Sequence, residues 1–329
     1  MGGFLGSPYS NVRGRALASR LWSPAAFDLP RAGGKLLESR FSAAPTAVNE
    51  PLFNEVESFL NQEALDFSLI LRKTLTDAGR QLLDALLARN WIENLRVLCR
   101  FPSREKAPLP LPVLPGSAAL PSPGHCQSLD ELAREVPSGN YRDLLRSTAK
   151  EGTSFDATGL DDSLLACYWQ GVADRIAFLP AWNRSRVREL LGRRADLDLF
   201  RMLWRLLPGE GVLQRKDIPF PALGLGATLK QKHLTATLRR HQIRRHFPGL
   251  LDPPRDDDDG GEKLEMELTR GFCRALRQQL RTPPFGMQGV LSAVLLMELE
   301  QRDRKGIFGM ERYRLPPMVI DELLSNRSR

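Results

Sequence analysis

Hydrophobic residues recur every three to four positions along most of this 329-residue chain, and that spacing decides its fold class. Leu52, Phe53, Val56, Phe59 and Leu60 follow it, as do Leu82, Leu83, Leu86 and Leu87, then Ile92, Leu95 and Leu98. It continues through Leu144 and Leu145, Leu164, Leu165 and Tyr168, and Val187, Leu190 and Leu191. Leu197, Phe200 and Leu203 come next, and Val290, Leu291, Val294 and Leu295 close the set. A period of 3.6 gathers such residues on one helical face, which must be buried against another element. No run alternates with the period of two that a half-buried strand needs. Aromatic residues make up only 7% of the chain, and Leu and Ala dominate its apolar content. Sandwich strands favour Val, Ile, Tyr and Phe instead. The expected fold is all-α.

Proline and glycine cut the chain into thirds. Pro102 to Pro123 contains Pro108, Pro110, Pro112, Pro115 and Pro121. It cannot be helical, because proline lacks an N–H and fixes φ, so a semi-extended linker is expected. A second cut runs from Pro208 to Gly226, and a smaller break from Pro248 to Gly261 carries the acidic run Asp256–Asp259. The expected domains are residues 1–107, 108–212 and 213–329. Two of the thirds share an element. Arg89, Ile92, Glu93, Arg96, Leu98 and Arg100 align without gaps with Arg194, Leu197, Asp198, Arg201, Leu203 and Arg205, at an offset of 105 residues. A repeat of that length suggests duplicated helical domains rather than a short-period solenoid.

Lys and Arg total 47 against 39 Asp and Glu, for a net charge of +8, and the basic residues are mostly Arg. A basic balance suits an anionic partner (nucleic acid, a membrane surface or an acidic protein) without choosing among them, and codon usage alone would also produce it. No stretch reaches the roughly 18 uninterrupted apolar residues of a membrane span. The four cysteines, Cys99, Cys126, Cys167 and Cys273, form no CxxC pair and read as reduced, mostly buried thiols. Met1 to Phe27 holds no acid and superficially resembles a transit peptide. It lacks a continuous apolar core, and Gly6 stands where a myristoylation motif needs Ser or Thr.

Few constellations carry chemistry. Glu93 with Arg96 and Asp198 with Arg201 are spaced three apart on one helical face. They read either as solvated surface pairs or as a partly buried charged layer bracing helices. The basic segment Lys230 to His246 could track a phosphate backbone, but it has no interleaved aromatics for base stacking. His233, His241 and His246 lack the i,i+4 spacing of a helical zinc pair. Gly224 to Lys230 lacks the order of a Walker A loop, and neither GxSxG nor HExxH occurs. No catalytic residue, cofactor or metal site is expected, which leans towards a structural or coupling role.

Several segments carry a resemblance. Tyr9-Ser10-Asn11-Val12-Arg13-Gly14-Arg15 is similar to the opening Tyr-x-Asn-x-Arg-x-Arg of the C subunits of bacterial and archaeal V-type ATP synthases, a family that includes the d subunits of vacuolar ATPases. Trp91 to Arg100 and Asp196 to Arg205 resemble the two copies of its Asp-x-x-Asn-Leu-x-x-x-x-Arg element. Pro284-Phe285-Gly286, the apolar helix after it, and Glu298, Glu300, Arg302 and Ile307 resemble the family's closing motif. The matches fall in order over nearly the whole chain, and the resemblance implies that residues 9–22 are a native helix rather than a transit peptide. Trp91 replaces the Asp of the first element, Leu199 replaces the Asn of the second, and Asp303 and Arg304 stand where Asn and Leu are usual.

The resemblance implies three similar helical-bundle domains in a pseudo-threefold funnel. It implies a non-catalytic rotor adaptor, one copy per complex, peripheral on the cytoplasmic face of the membrane. Such an adaptor joins the central-stalk shaft to the membrane rotor (proteolipid) ring and couples ATP hydrolysis or synthesis to the transport of hydrogen or other ions. No nucleic acid or small-molecule substrate is expected. The charged elements bracing the funnel or its contacts would be Arg13, Arg15, Glu93, Arg96, Arg100, Asp198, Arg201, Arg205, Glu298, Glu300 and Arg302. The alternative from another class is a basic all-helical nucleic-acid-binding protein.

Overall fold

A computed structural model describes residues 50–100, 110–122, 125–150, 157–206, 261–281 and 287–313. The described residues form eight helices and no strand. These are α1 (Glu50–Arg72), α2 (Asp77–Arg100), α3 (Leu129–Glu135), α4 (Asn140–Lys150), α5 (Ala157–Ile176), α6 (Ala181–Leu206), α7 (Gly261–Arg281) and α8 (Gln288–Tyr313). The expected N-terminal helix with Arg13 and Arg15, the basic segment 230–246, the Asp256–Asp259 run and Pro284-Phe285-Gly286 lie outside the described residues.

Apolar spacing builds each helix, and local chemistry sets the ends. Along α1, Val56, Leu60, Phe67 and Leu71 fall on one buried face. The turn after it begins α2 at Thr76, whose hydroxyl accepts from Gly79 N at 3.4 Å, while Asp77 in the first turn complements the helix dipole. Arg72, in the last turn of α1, fastens the corner with a two-pronged bond to Asp84 (2.6 and 2.8 Å). Ser128 caps α3 by accepting from Glu131 N at 3.2 Å, and Glu131 reaches back to accept from Gln127 N at 2.7 Å. This reciprocal pair resembles a capping box. Pro137 ends α3, and Gly139, at φ 134°, turns the chain into α4 in a region other residues rarely adopt.

The helices share one core. The closest pairings are α2 with α5, α1 with α8, α7 with α8, and α3 with α4. Helix α6 also packs on α5, α7 and α8. Every residue from Met287 to Met297 is buried, so the first half of α8 is covered on all sides. A helix apolar all round belongs at the centre of a bundle. Its start is held from another helix: buried Asn183 of α6 accepts from Met287 N at 2.9 Å. No helix among the described residues is long and apolar enough to cross a membrane.

The proline-rich stretch is non-helical over 110–122, as its composition requires, but it is more than a spacer. Asn94 on α2 grips it from both sides, donating to Leu111 O at 2.9 Å and accepting from Leu111 N at 2.7 Å. Asn90 donates to Pro112 O, and the Trp91 indole donates to Ala118 O, each at 2.8 Å. Leu114 and Leu120 pack against the core. The stretch is a strap laid along α2.

Candidate functional site

Of the charged residues singled out in the sequence, Glu93, Arg96, Arg100, Asp198 and Glu298 meet in a charged layer where α2, α5, α6 and α8 cross. Its centre is Asp198 on α6, with only 2% of its side chain exposed. Arg89 of α2 donates to both of its oxygens, Nη1 to Oδ2 at 2.5 Å and Nη2 to Oδ1 at 3.2 Å. Arg194, one turn back on α6, donates to Oδ1 at 3.0 Å, and the Trp169 indole of α5 donates to Oδ2 at 3.1 Å. A buried carboxylate is tolerated only when its lone pairs are filled by such charge-assisted bonds.

Arg89 is the hub of the layer. Its Nε donates to Glu93 at 3.0 Å, and its guanidinium lies 5.4 Å from the centre of the Tyr168 ring. Burial works against its charge, but Asp198 and Glu93 more than offset this and hold its pKa above the ordinary value. Burial pushes the Tyr168 hydroxyl up, and that hydroxyl donates to Leu86 O at 3.2 Å. The pair Arg89–Glu93 recurs as Arg194–Asp198, with the same i,i+4 spacing and the same 3.0 Å separation. The two aligned copies of the repeat are therefore alike in their ion pairs and joined directly through Arg89 and Asp198.

From Glu93 the layer runs along α2. Arg96 donates to Glu93 at 2.7 and 2.9 Å, then reaches Asp161 of α5 at 3.3 Å. Arg100 also binds Asp161, which is 1% exposed. Of the two readings of the Glu93–Arg96 pair, the structure places it in a partly buried brace. Asp198 has Arg89, Arg194 and Trp169 for partners, while Arg201 and Arg205 fall on α6 with side chains outside the described residues.

The α8 residues divide between two places. Glu298 lies beside the Arg89–Asp198–Arg194 group: burial pushes its carboxyl up and Asp198 adds to that, against the pull of Arg194 and Arg89. Glu300 is buried and bonded to Arg304 one turn on. Arg304 and Gln301 both donate to Glu63 of α1 at 3.0 Å. Lys305 reaches Asn61 at 2.5 Å and Glu57 at 3.6 Å. This second group fastens α8 to α1. Arg302 is only partly buried.

No motif marks Asp161, Trp169 or Glu63 in the sequence, and Arg304 stands out there only as a departure from the usual Leu. One signal was present for Asp161, an acid three and four positions before Leu164 and Leu165 on the apolar stripe of α5. A carboxylate there is buried and demands a cation. Trp91, the departure from the expected Asp, holds the strap and lies tilted against Tyr141 of α4, with ring centres 5.5 Å apart. The cysteines are free thiols: Cys99, Cys126 and Cys273 are buried and Cys167 half-buried. Among the described residues no group of His, Cys, Asp and Glu could hold a metal ion. The arrangement is suited to fixing helices at set angles, because charged hydrogen bonds in a poorly solvated layer resist sliding. No known family model matches the chain, and no curated protein matches its sequence.

Proposed function

We propose that this chain is a non-catalytic rotor adaptor of a V-type ATPase or ATP synthase. In this reading it joins the central shaft to the membrane rotor ring and carries torque between ATP chemistry and ion movement. The ordered resemblance to the C subunits of V-type ATP synthases, over nearly the whole chain, supports it, as does the all-helical fold. The observation that carries it is the direct join between the two copies of the repeated element, Arg89 to Asp198. A torque adaptor has to keep its helical units from turning against one another. A cross-linked charged layer on both copies of the motif provides that stiffness. On this reading the three helical domains form a funnel, with the protein peripheral on the cytoplasmic face of the membrane.

The test is affinity purification of a tagged copy from detergent-solubilised native membranes, followed by mass spectrometry. Recovery of ring and central-stalk proteins in fixed proportion is expected. Recovery of the chain free of any ATPase component contradicts the reading, and nucleic acid in that eluate would favour the basic-segment alternative.

A further inference from the structure

The strap over 110–122 is held on α2 in the way a bound peptide is held in a groove. Asn90, Trp91 and Asn94 tie it down, and every one of their hydrogen bonds goes to its main chain: Leu111 N, Leu111 O, Pro112 O and Ala118 O. Its shape is its own. Leu114-Pro115-Gly116-Ser117 is a turn closed from Ser117 N to Leu114 O at 2.9 Å, with Gly116 at φ 86°. Proline second and glycine third are the residues such a turn favours. Every residue from 110 to 122 is exposed or half-buried, Leu114 and Leu120 included. The helices before and after it in the chain, by contrast, bury Leu95, Leu98 and Leu132.

A segment that places no side chain fully inside adds little to global stability and opens at low cost. The surface it covers reads a main chain and its apolar spacing, as peptide-binding grooves do. Trp91, backed by Tyr141 with ring centres 5.5 Å apart, supplies the aromatic wall on which proline-rich ligands dock. The occupant sets the chemistry of the ligand. Residues 110–122 carry no charge, and Leu114 and Leu120 pack against the core. Prolines at 110, 112, 115 and 121 fix φ in advance, so little conformational entropy is lost on docking.

We propose that the α2 surface built from Asn90, Trp91 and Asn94 is a peptide-binding groove, that the strap is its resident ligand, and that an uncharged Leu- and Pro-rich segment of a partner protein takes the same place when the strap lifts. The inference does not rest on the rotor reading. The probe is a fluorescein-labelled peptide of residues 108–122, titrated by anisotropy against the full-length chain. In the parent the strap competes at about millimolar effective concentration. Leu111→Pro/Leu114→Ser/Leu120→Ser opens the strap without touching α2, and this variant should bind the peptide roughly tenfold more tightly or better. Adding Asn90→Ala/Asn94→Ala should remove most of that binding, as should N-methylation of the peptide at Leu111, which deletes the N–H that Asn94 accepts. The parent chain gives a reading that needs no variant: by hydrogen exchange its Leu111 amide should open roughly a hundredfold more readily than the core amide of Leu86. No binding to the opened variant, equal binding to the parent, or binding indifferent to the asparagines or to N-methylation would overturn the proposal. Leu111 protection equal to that of Leu86 would overturn it too, and a dimer of the opened variant in sedimentation would assign the groove to a second copy instead.

Discussion

Arg89 and Asp198, 109 residues apart, form a two-pronged ion pair between equivalent helices of the repeat, and each also holds an i,i+4 partner of its own. The pair is more than a surface contact, since 17% of the arginine side chain and 2% of the aspartate side chain are exposed. Removing one partner strands the others. Asp198→Asn should cost about 3–5 kcal/mol by denaturant titration. The double variant Arg89→Met/Asp198→Leu should lose less than the sum of its single variants. Strict additivity would show that the two groups do not interact.

Glu298 predicts a pH dependence of the opposite sense from a salt-bridged acid. Its folded pKa lies above the ordinary 4.5, so the folded protein binds this proton more tightly than the unfolded chain does. The group therefore disfavours folding once pH rises through the folded pKa, and has no such effect below the unfolded value. Glu298→Gln should be at least as stable as the parent at pH 7–8, with the difference vanishing near pH 4. Denaturant titrations across that range check it. A variant less stable at neutral pH than at acid pH, relative to the parent, would contradict it.

The helices were legible because burial writes itself into the 3.6-residue period: Leu82, Leu83, Leu86 and Leu87 are all inside. The charged layer was legible only in part. Glu93 and Arg96 lie on one helix, so their bond follows from spacing alone. The Arg89–Asp198 bond depends on how two helices pack, which spacing does not encode. What pointed towards it was the alignment of Arg89 with Arg194 and of Glu93 with Asp198. Proline content predicts only a linker for the strap, because it reports the absence of helix, whereas its attachment is made by backbone groups that pair with Asn94.

Asn94 fills both polar groups of Leu111, its amide donating through Nδ2 and accepting through Oδ1. Asn94→Ala should cost about 1–3 kcal/mol and free the strap. Asn94→Asp keeps the acceptor alone. In both variants limited proteolysis should cut within residues 110–122 faster than in the parent. An unchanged cleavage pattern would mean that the grip on Leu111 does not hold the segment.

Burial pushes the Cys99 thiol up to about 12 and the Cys273 thiol up to about 11. Both should resist iodoacetamide at pH 8 in the native protein and react fully in denaturant, because the thiolate is the nucleophile. Half-buried Cys167 should label before either. Mass mapping of the alkylated sites reads this out, and early labelling of Cys99 would contradict the core assignment.

In the role proposed for it, this chain couples ATP chemistry to ion movement without performing either. The most direct measurement compares ATP hydrolysis with ATP-driven ion uptake in inverted membrane vesicles, prepared with and without the protein. The account predicts that removal abolishes ion uptake while the released catalytic part still hydrolyses ATP, and that adding back the intact chain restores both coupling and uptake. Ion uptake that continues at full rate in its absence would contradict the account.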